Sequence, residues 1–578
     1  MAALVSALDN HTPTQLGENG HAEYRWSHSI QERILQLSFQ LTRTSDAGVE
    51  QLAEVVRDLL VQLKHQLTTG SLPEKEVAKG QLTLLYKMIG QTRDIVDGKG
   101  EYTLAYMMVY TWHAFFPALA TFALRCFVTL DNPDVHQYGS WKDLKYFCEY
   151  CKSKGDSMDS PLIVYAVKLL NDQLRKDWAA LSQTPQGKVS LAAKWAPREK
   201  SSFGWLYASL AAEYFAHYLA SATTHEMRAK ALLKCKTEYR KLLSSLNKHL
   251  DTLQIKQCGK EWSEIDFNKV TSISLGKQKK AFLNVKKNGD TRYPTSLDRT
   301  TCAANFKAHI QKAVKGETEM KGLRVAMADF TKQAIELCEM GSQEEKDLLN
   351  SQWRNNASQT GALGKMIPMV DVSGSMSGDP MNVAIALGIR IAEKSVIGKR
   401  VMTFSSRPTW VNLEPYPDFT SQVEVVRRAD WGMNTNFEAA LDLILNAIVA
   451  NTMPPEDVQD MVLVILSDMQ MDSGDKCNKQ ALYEKMTKKY AEAGVRVHGV
   501  PYKAPHILFW NLRSTSGFPT LSNQPNASMM SGFSPALLNL FCDQGMTALE
   551  SCTPWSLMVK GLENERYHVM ENMISEHI

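Results

Sequence analysis

The sequence is short of several features that would narrow its function at once. No apolar run approaches the roughly 20 residues that span a bilayer. The nearest, Leu104–Leu130, is interrupted by His113, Pro117 and Arg125, so no membrane association is expected. Met1–Ser27 holds no apolar core behind a basic start, so no secretory signal is expected there. Neither sign of charge is in excess: 65 Lys and Arg stand against 62 Asp and Glu, a formal net charge of +3. That balance neither demands nor excludes a polyanionic partner. The 10 cysteines form no disulfide framework. Cys148 and Cys151 make a lone Cys-x-x-Cys with no second pair at zinc-ligand spacing, so structural thiols in a reducing, cytoplasmic compartment are expected. The phosphate-loop pattern Gly-x-x-x-x-Gly-Lys-Ser/Thr is also missing.

What is present divides the chain in two. At 578 residues it exceeds one ordinary core, so two or more domains are expected. Residues 1–27 are mostly polar and read as a tail. Residues 28–360 are helical in pattern: Ile30, Ile34, Leu37 and Leu41 recur at helix spacing, as do Leu52, Val56, Leu59 and Leu63. Further helical runs cover 104–130, 162–181, 205–219, 229–250 and 325–340. Successive helices that each need a neighbour point to a solenoid-like, helical-repeat stack, although no fixed period is visible. From Gly361 to Ile578 strands alternate with helices. Strands are predicted at 366–370, 400–405, 409–413, 461–466, 506–510 and 527–531. Such alternation gives a mostly parallel α/β sheet covered on both faces, with ligands beyond the carboxyl ends of its strands.

The first of those ends is the most informative. Met366–Val370 runs into Asp371-Val-Ser373-Gly-Ser375, an Asp-x-Ser-x-Ser in which a carboxylate and two hydroxyls can aim at one point. Hard oxygens of this kind suit Mg²⁺ or Mn²⁺. The plainer reading is a Ser-rich turn capping the next helix. Two later features favour the metal: Thr435 lies in a polar loop before an apolar helix, and the apolar run Met461–Leu466 ends in Ser467-Asp468.

Basic residues gather in two stretches. Lys194-Trp-Ala-Pro197 is followed by Arg198 and Lys200, and Lys277-Gln-Lys279-Lys280-Ala-Phe282 leads to Lys286-Lys287. Both place an aromatic among cations, a composition that meets phosphates and stacks bases. The structural alternative is a solvated helix face with a buried Phe282. Arg93, Asp94 and Lys99, and the stretch Gly139–Leu144, are further polar islands, readable as caps and interhelix salt bridges.

Asp371, Ser373, Ser375, Thr435 and Asp468, in that order, resemble the metal-ion-dependent adhesion site of von Willebrand factor A-like domains. With a helical region before it, the layout resembles the TROVE family, typified by the Ro ribonucleoprotein autoantigen. It is more similar still to an uncharacterised TROVE-like family of plants, fungi and large DNA viruses. The stretches that carry the resemblance are Arg93-Asp94 with Gly98–Glu101, Gly139–Leu144, Lys194–Pro197, Tyr239-Arg-Lys241 with Trp262 and Ile265-Asp266, and most of Asp371–Phe541. That last span includes Trp431–Phe437, Ser467–Gln470, Phe509–Arg513 and Ser531–Ser534. The resemblance implies a helical TROVE-like region closed by an α/β, Rossmann-like A domain, with RNA as ligand. A ring closed within one chain needs no second copy, so a monomer is expected.

The expected function is a non-catalytic RNA-binding or ribonucleoprotein scaffold. The alternative is a metal-dependent protein-interaction or assembly module that takes an acidic residue of its partner. Neither serine of the Asp-x-Ser-x-Ser has a neighbouring His or Cys in the sequence, so an activated nucleophile is not indicated.

Overall fold

The computed structural model describes residues 14–18, 22–184, 187–403, 408–429, 437–470, 479–515, 517–542 and 551–578. Helices fill the chain up to residue 356, and a six-stranded sheet begins at residue 365. The chain is therefore an α region followed by an α/β region. No helix among the described residues is long and apolar enough to cross a membrane.

In the helical half the long apolar run 104–130 is split. Pro117 has no N–H to give and sits in the first turn of a new helix. The result is Thr103–His113 followed by Pro117–Cys126. Helices Asp46–Thr69 and Leu72–Arg93 are joined by a short turn in which Ser71 and Glu74 form a capping box. Further on, Phe267, Phe282, Phe306 and Ile310 build a separate small core under helices Ser272–Phe282 and Leu297–Val314.

The polar islands of this half are internal. Arg93 donates Nε and Nη2 to Asp143 at 2.6 and 2.8 Å, and Tyr106 adds its hydroxyl to the same carboxylate at 2.6 Å. Burial alone would lower the Arg93 guanidinium, but Asp143 outweighs it and holds the group above its ordinary value. Lys99 donates to Ser38 O, Leu41 O and Ser531 Oγ at 2.6, 3.1 and 2.7 Å. These islands are interhelix and interdomain locks.

The main sheet runs in the order β5-β4-β3-β6-β7-β8: Trp410–Asn412, Arg400–Thr403, Lys365–Val370, Met461–Ser467, His506–Asn511 and Ala527–Ser531. All neighbours are parallel except β4 and β5. Alternate residues feed different cores, as a pleat of period two requires. Met366, Val370, Val464, Leu466, Leu508 and Trp510 pack with helices Met327–Met340, Asp379–Lys394 and Phe419–Arg428. Ile367, Met369, Leu463, Ile465, Ile507 and Phe509 join one continuous cluster with the N-terminal helices and with Phe437–Ala450. The two halves thus share a core. Gly388 lets helix Asp379–Lys394 lie against β3, since a Cβ there would stand 2.4 Å from Val370 Cγ2.

Both ends of the described chain are tied in. β1 (Thr14–Leu16) pairs antiparallel with β2 (Ala22–Tyr24). Tyr24 and Phe518 exchange backbone hydrogen bonds at 3.0 Å, and Trp26 meets Phe518 edge to face at 4.9 Å. The stretch read as a polar tail is therefore folded onto the α/β half from Thr14 onward. At the other end, helices Pro554–Leu562 and His568–His577 return to the helical half. Leu562, Tyr567, Met570 and Ile574 enter the shared core, and Lys87 pairs with Glu571 at 2.8 Å.

Candidate metal centre and basic surface

β3 and β6 end side by side, with Val370 opposite Leu466. The Asp371 N–H donates to Leu466 O at 3.0 Å, which carries the register one residue past the strand. Asp371 and Asp468 are both buried. Asp371 Oδ1 accepts the Ser373 N–H at 2.8 Å, and Oδ2 accepts the Ser467 hydroxyl at 2.6 Å. The first bond bends the chain so that Ser373 and Ser375 follow outside, their hydroxyls exposed and 3.0 Å apart. Buried Met376 anchors the turn. Gly378, at φ +97, then allows the entry into helix Asp379–Lys394, a conformation side chains disfavour.

Burial lifts the Asp371 carboxyl to about 6; its bonds from Ser467 and Ser373 oppose the rise and the neighbouring Asp468 charge adds to it. Asp468 Oδ1 accepts the Gln470 N–H at 3.1 Å, and Oδ2 accepts Arg513 Nη1 at 3.0 Å. Sequence reasoning missed Arg513. Its signals were its place in the Phe509–Arg513 stretch of the resemblance and its position two residues beyond the end of β7.

This donor set fits a hard divalent cation. All its atoms are oxygens, the two exposed hydroxyls are adjacent, and two buried carboxylates stand behind them. The carboxylates are already bonded to their own surroundings, which suits a role through water or as background charge. Among the described residues no group of three or more His, Cys, Asp or Glu is arranged for a metal, so the hydroxyls are essential to the fit. Thr435, the expected loop donor, lies outside the described residues.

The structure places the first basic stretch on a shared surface. Lys194 and Trp195 lie on the short helix Ala192–Trp195, facing helix Lys142–Ser153. The Nζ atoms of Lys145, Lys194 and Lys142 stand 5.2, 5.8 and 6.0 Å from the Trp195 ring. Lys145 also lies 5.2 Å from the Phe203 ring, and Lys152 lies 4.5 Å from Trp205. Burial pulls the Lys145 ammonium below its ordinary value, and Lys142 and Arg198 pull the same way. Burial also lowers Lys194. Among the described residues no ion pair involves Lys145, Lys194 or Arg198, while Arg198 and Lys200 are exposed. Beside this patch a cleft of about 760 Å³ opens, walled by Tyr102, Lys142, Tyr146 and Tyr150.

The second stretch is arranged differently. Phe282 is fully buried among Phe267, Phe306 and Trp262, so it offers no ring for stacking. Lys279 turns inward to Glu345 at 3.8 Å and Gln333 at 3.5 Å. Lys277, Lys286 and Lys287 are exposed and Lys280 half-buried. Cys148 and Cys151 both face the core, and burial pushes their thiols well above the ordinary value. His506 is buried and hydrogen-bonded to Ser528 Oγ at 2.8 Å, a structural position.

Comparison with known proteins follows the same division. A family model described as "Domain of unknown function (DUF2828)" matches residues 152–366. A second, "Domain of unknown function (DUF7788)", matches residues 365–574 and begins with β3. The "Uncharacterized protein L728" of Acanthamoeba polyphaga mimivirus is 30% identical over 495 residues, 82% of this chain and 78% of the relative. The chain belongs to the family of that viral protein. A relative in a large DNA virus was expected from the resemblance. The similarity extends over more of the chain than either family model, so it includes both the helical and the α/β regions.

Proposed function

We propose that the protein is a non-catalytic RNA-binding scaffold whose α/β half holds a divalent cation. The observation that carries the RNA reading is the gathering of Lys142, Lys145, Lys194 and Arg198 around Trp195 and Phe203. Like charges held together at a half-covered surface are relieved by a polyanion, and aromatic faces among them stack bases without sequence preference. The resemblance of the sequence to TROVE-like proteins, with a helical region before an A-like domain, agrees with this reading. The test is fluorescence anisotropy of a labelled single-stranded RNA 10-mer with the full chain across a salt series. Binding that weakens with salt and is lost in Lys145→Glu/Lys194→Glu supports the reading; no binding at low salt overturns it.

A second reading is favoured by the sheet edge: a metal-dependent interaction module. Ser373 and Ser375 would supply oxygens directly to Mg²⁺ or Mn²⁺, with Asp371 and Asp468 balancing its charge and Thr435 the expected fifth donor. When bound, the cation would offer an open position to an acidic side chain of a protein partner. Isothermal titration with Mg²⁺ alone, on the wild type and on Ser373→Ala, tests the site; equal heats from the two would remove it.

A further inference from the structure

Asp468 already has a cation. Arg513 Nη1 donates to Asp468 Oδ2 at 3.0 Å and to Glu18 Oε2 at 3.3 Å. Asp468 is fully buried, whereas the Arg513 side chain is 36% exposed and Glu18 more so. Glu18 is held a second time: its N–H donates to Gln470 Oε1 at 2.8 Å. Gln470 in turn donates its N–H to Asp468 Oδ1. The N-terminal strap is thus fastened to the carboxylate of the candidate metal centre through one arginine and one glutamine. The strap is fastened again at Tyr24, which exchanges backbone hydrogen bonds with Phe518.

We propose that Arg513 is the built-in counter-cation of this centre, that a divalent cation exchanges with it at Asp468, and that the exchange loosens the Glu18 strap. This rests on the cation reading above. A guanidinium on Asp468 neutralises a buried carboxylate that would otherwise stand beside Asp371. A divalent cation near the serines repels that guanidinium and takes over its task, because like charges cannot share a buried site cheaply. Arg513 is partly exposed, so it can swing into solvent. Glu18 then keeps its backbone bond to Gln470 and loses its charge partner. Arg513 accordingly sets the affinity of the site, and occupancy of the site sets the order of residues 14–18.

The test uses the full-length chain and Mn²⁺ alone. Mn²⁺ affinity is read by electron paramagnetic resonance, and strap order by hydrogen–deuterium exchange over residues 14–24. Arg513→Gln is expected to bind Mn²⁺ at least tenfold tighter than the wild type. In the wild type Mn²⁺ is expected to speed exchange in the strap, and in Arg513→Gln to leave it unchanged. Glu18→Gln should give the fast strap exchange without any cation. Equal Mn²⁺ affinity in the wild type and Arg513→Gln overturns the counter-cation assignment while leaving the metal centre standing. Tighter binding with a strap indifferent to Mn²⁺ overturns the coupling. No Mn²⁺ binding by either protein removes the metal centre and this inference together.

Discussion

Arg566 grips Asp94 with two parallel hydrogen bonds, Nε to Oδ2 and Nη2 to Oδ1, each 2.7 Å long. The two residues are 472 positions apart. Asp94 is fully buried, and Tyr567 adds its hydroxyl at 3.1 Å. Arg566→Ala leaves that carboxylate with no cation in hydrogen-bond contact, only the Tyr567 hydroxyl and the Val96 N–H, the latter 2.9 Å from Oδ1. The expected cost is about 3–5 kcal/mol, the usual loss when one partner of a buried pair is removed. Urea denaturation of wild type and variant measures it.

Lys99 supplies a dependence on pH. Burial brings its amine down to about 7 from 10.5, against the pull of Glu101. Below pH 7 the amine is charged in the folded and unfolded chain alike. Between about 7 and 10.5 the unfolded chain binds a proton that the folded one releases, so this residue makes stability rise with pH across that window. Lys99→Met is expected to flatten that slope, whatever it does to stability at pH 7. Melting curves from pH 7 to 10 on both proteins give the comparison.

Mg²⁺ is expected to raise the melting temperature of the wild type and not that of Asp371→Ala. At a hundredfold excess over Kd the stabilisation is about 2.7 kcal/mol. Differential scanning fluorimetry with Mg²⁺, and with Na⁺ at matched ionic strength, separates a bound cation from salt screening.

On the basic surface, Trp195→Ala is expected to weaken single-stranded RNA binding roughly 5- to 150-fold, the loss of one stacked base. The milder Lys145→Gln/Lys194→Gln should keep weaker binding and lower the slope of log affinity against log salt by about 1.4, at ~0.7 per phosphate contact. A Phe282 substitution should lower stability instead, because that ring is core.

Much of the α/β half was legible because its signals are local. The apolar runs Met366–Val370 and Met461–Leu466 end abruptly in acids, and β3 and β6 stand where the pattern puts them. The strand-end residues Asp371 and Asp468 therefore fall on one edge of one sheet. What escaped depends on partners distant in sequence. Thr14–Leu16 and Ala22–Tyr24 are polar three-residue strands that exist by pairing with each other and with Phe518. Helix Leu297–Val314 buries Cys302, Phe306, Ile310 and Ala313 among polar neighbours, too sparse a stripe to stand out. Lys142 and Lys145 open a helix and read as its surface until Trp195 arrives from fifty residues on. Phe282, flanked by lysines, reads from sequence as either a stacking ring or a buried one, and only its distant aromatic neighbours decide for burial.

The clasp between Asp94 and Arg566 also bears on how the chain is made. Synthesis runs from the amino end at about 5–20 residues per second, so some 24–94 s separate the emergence of the two residues from the ribosome. Through that interval the nascent helices carry an unpaired acid and an uncovered apolar face that later meets Tyr567 and Met570. The helical half therefore reaches its final form only after Arg566 has emerged, and the waiting chain is a natural client for chaperones.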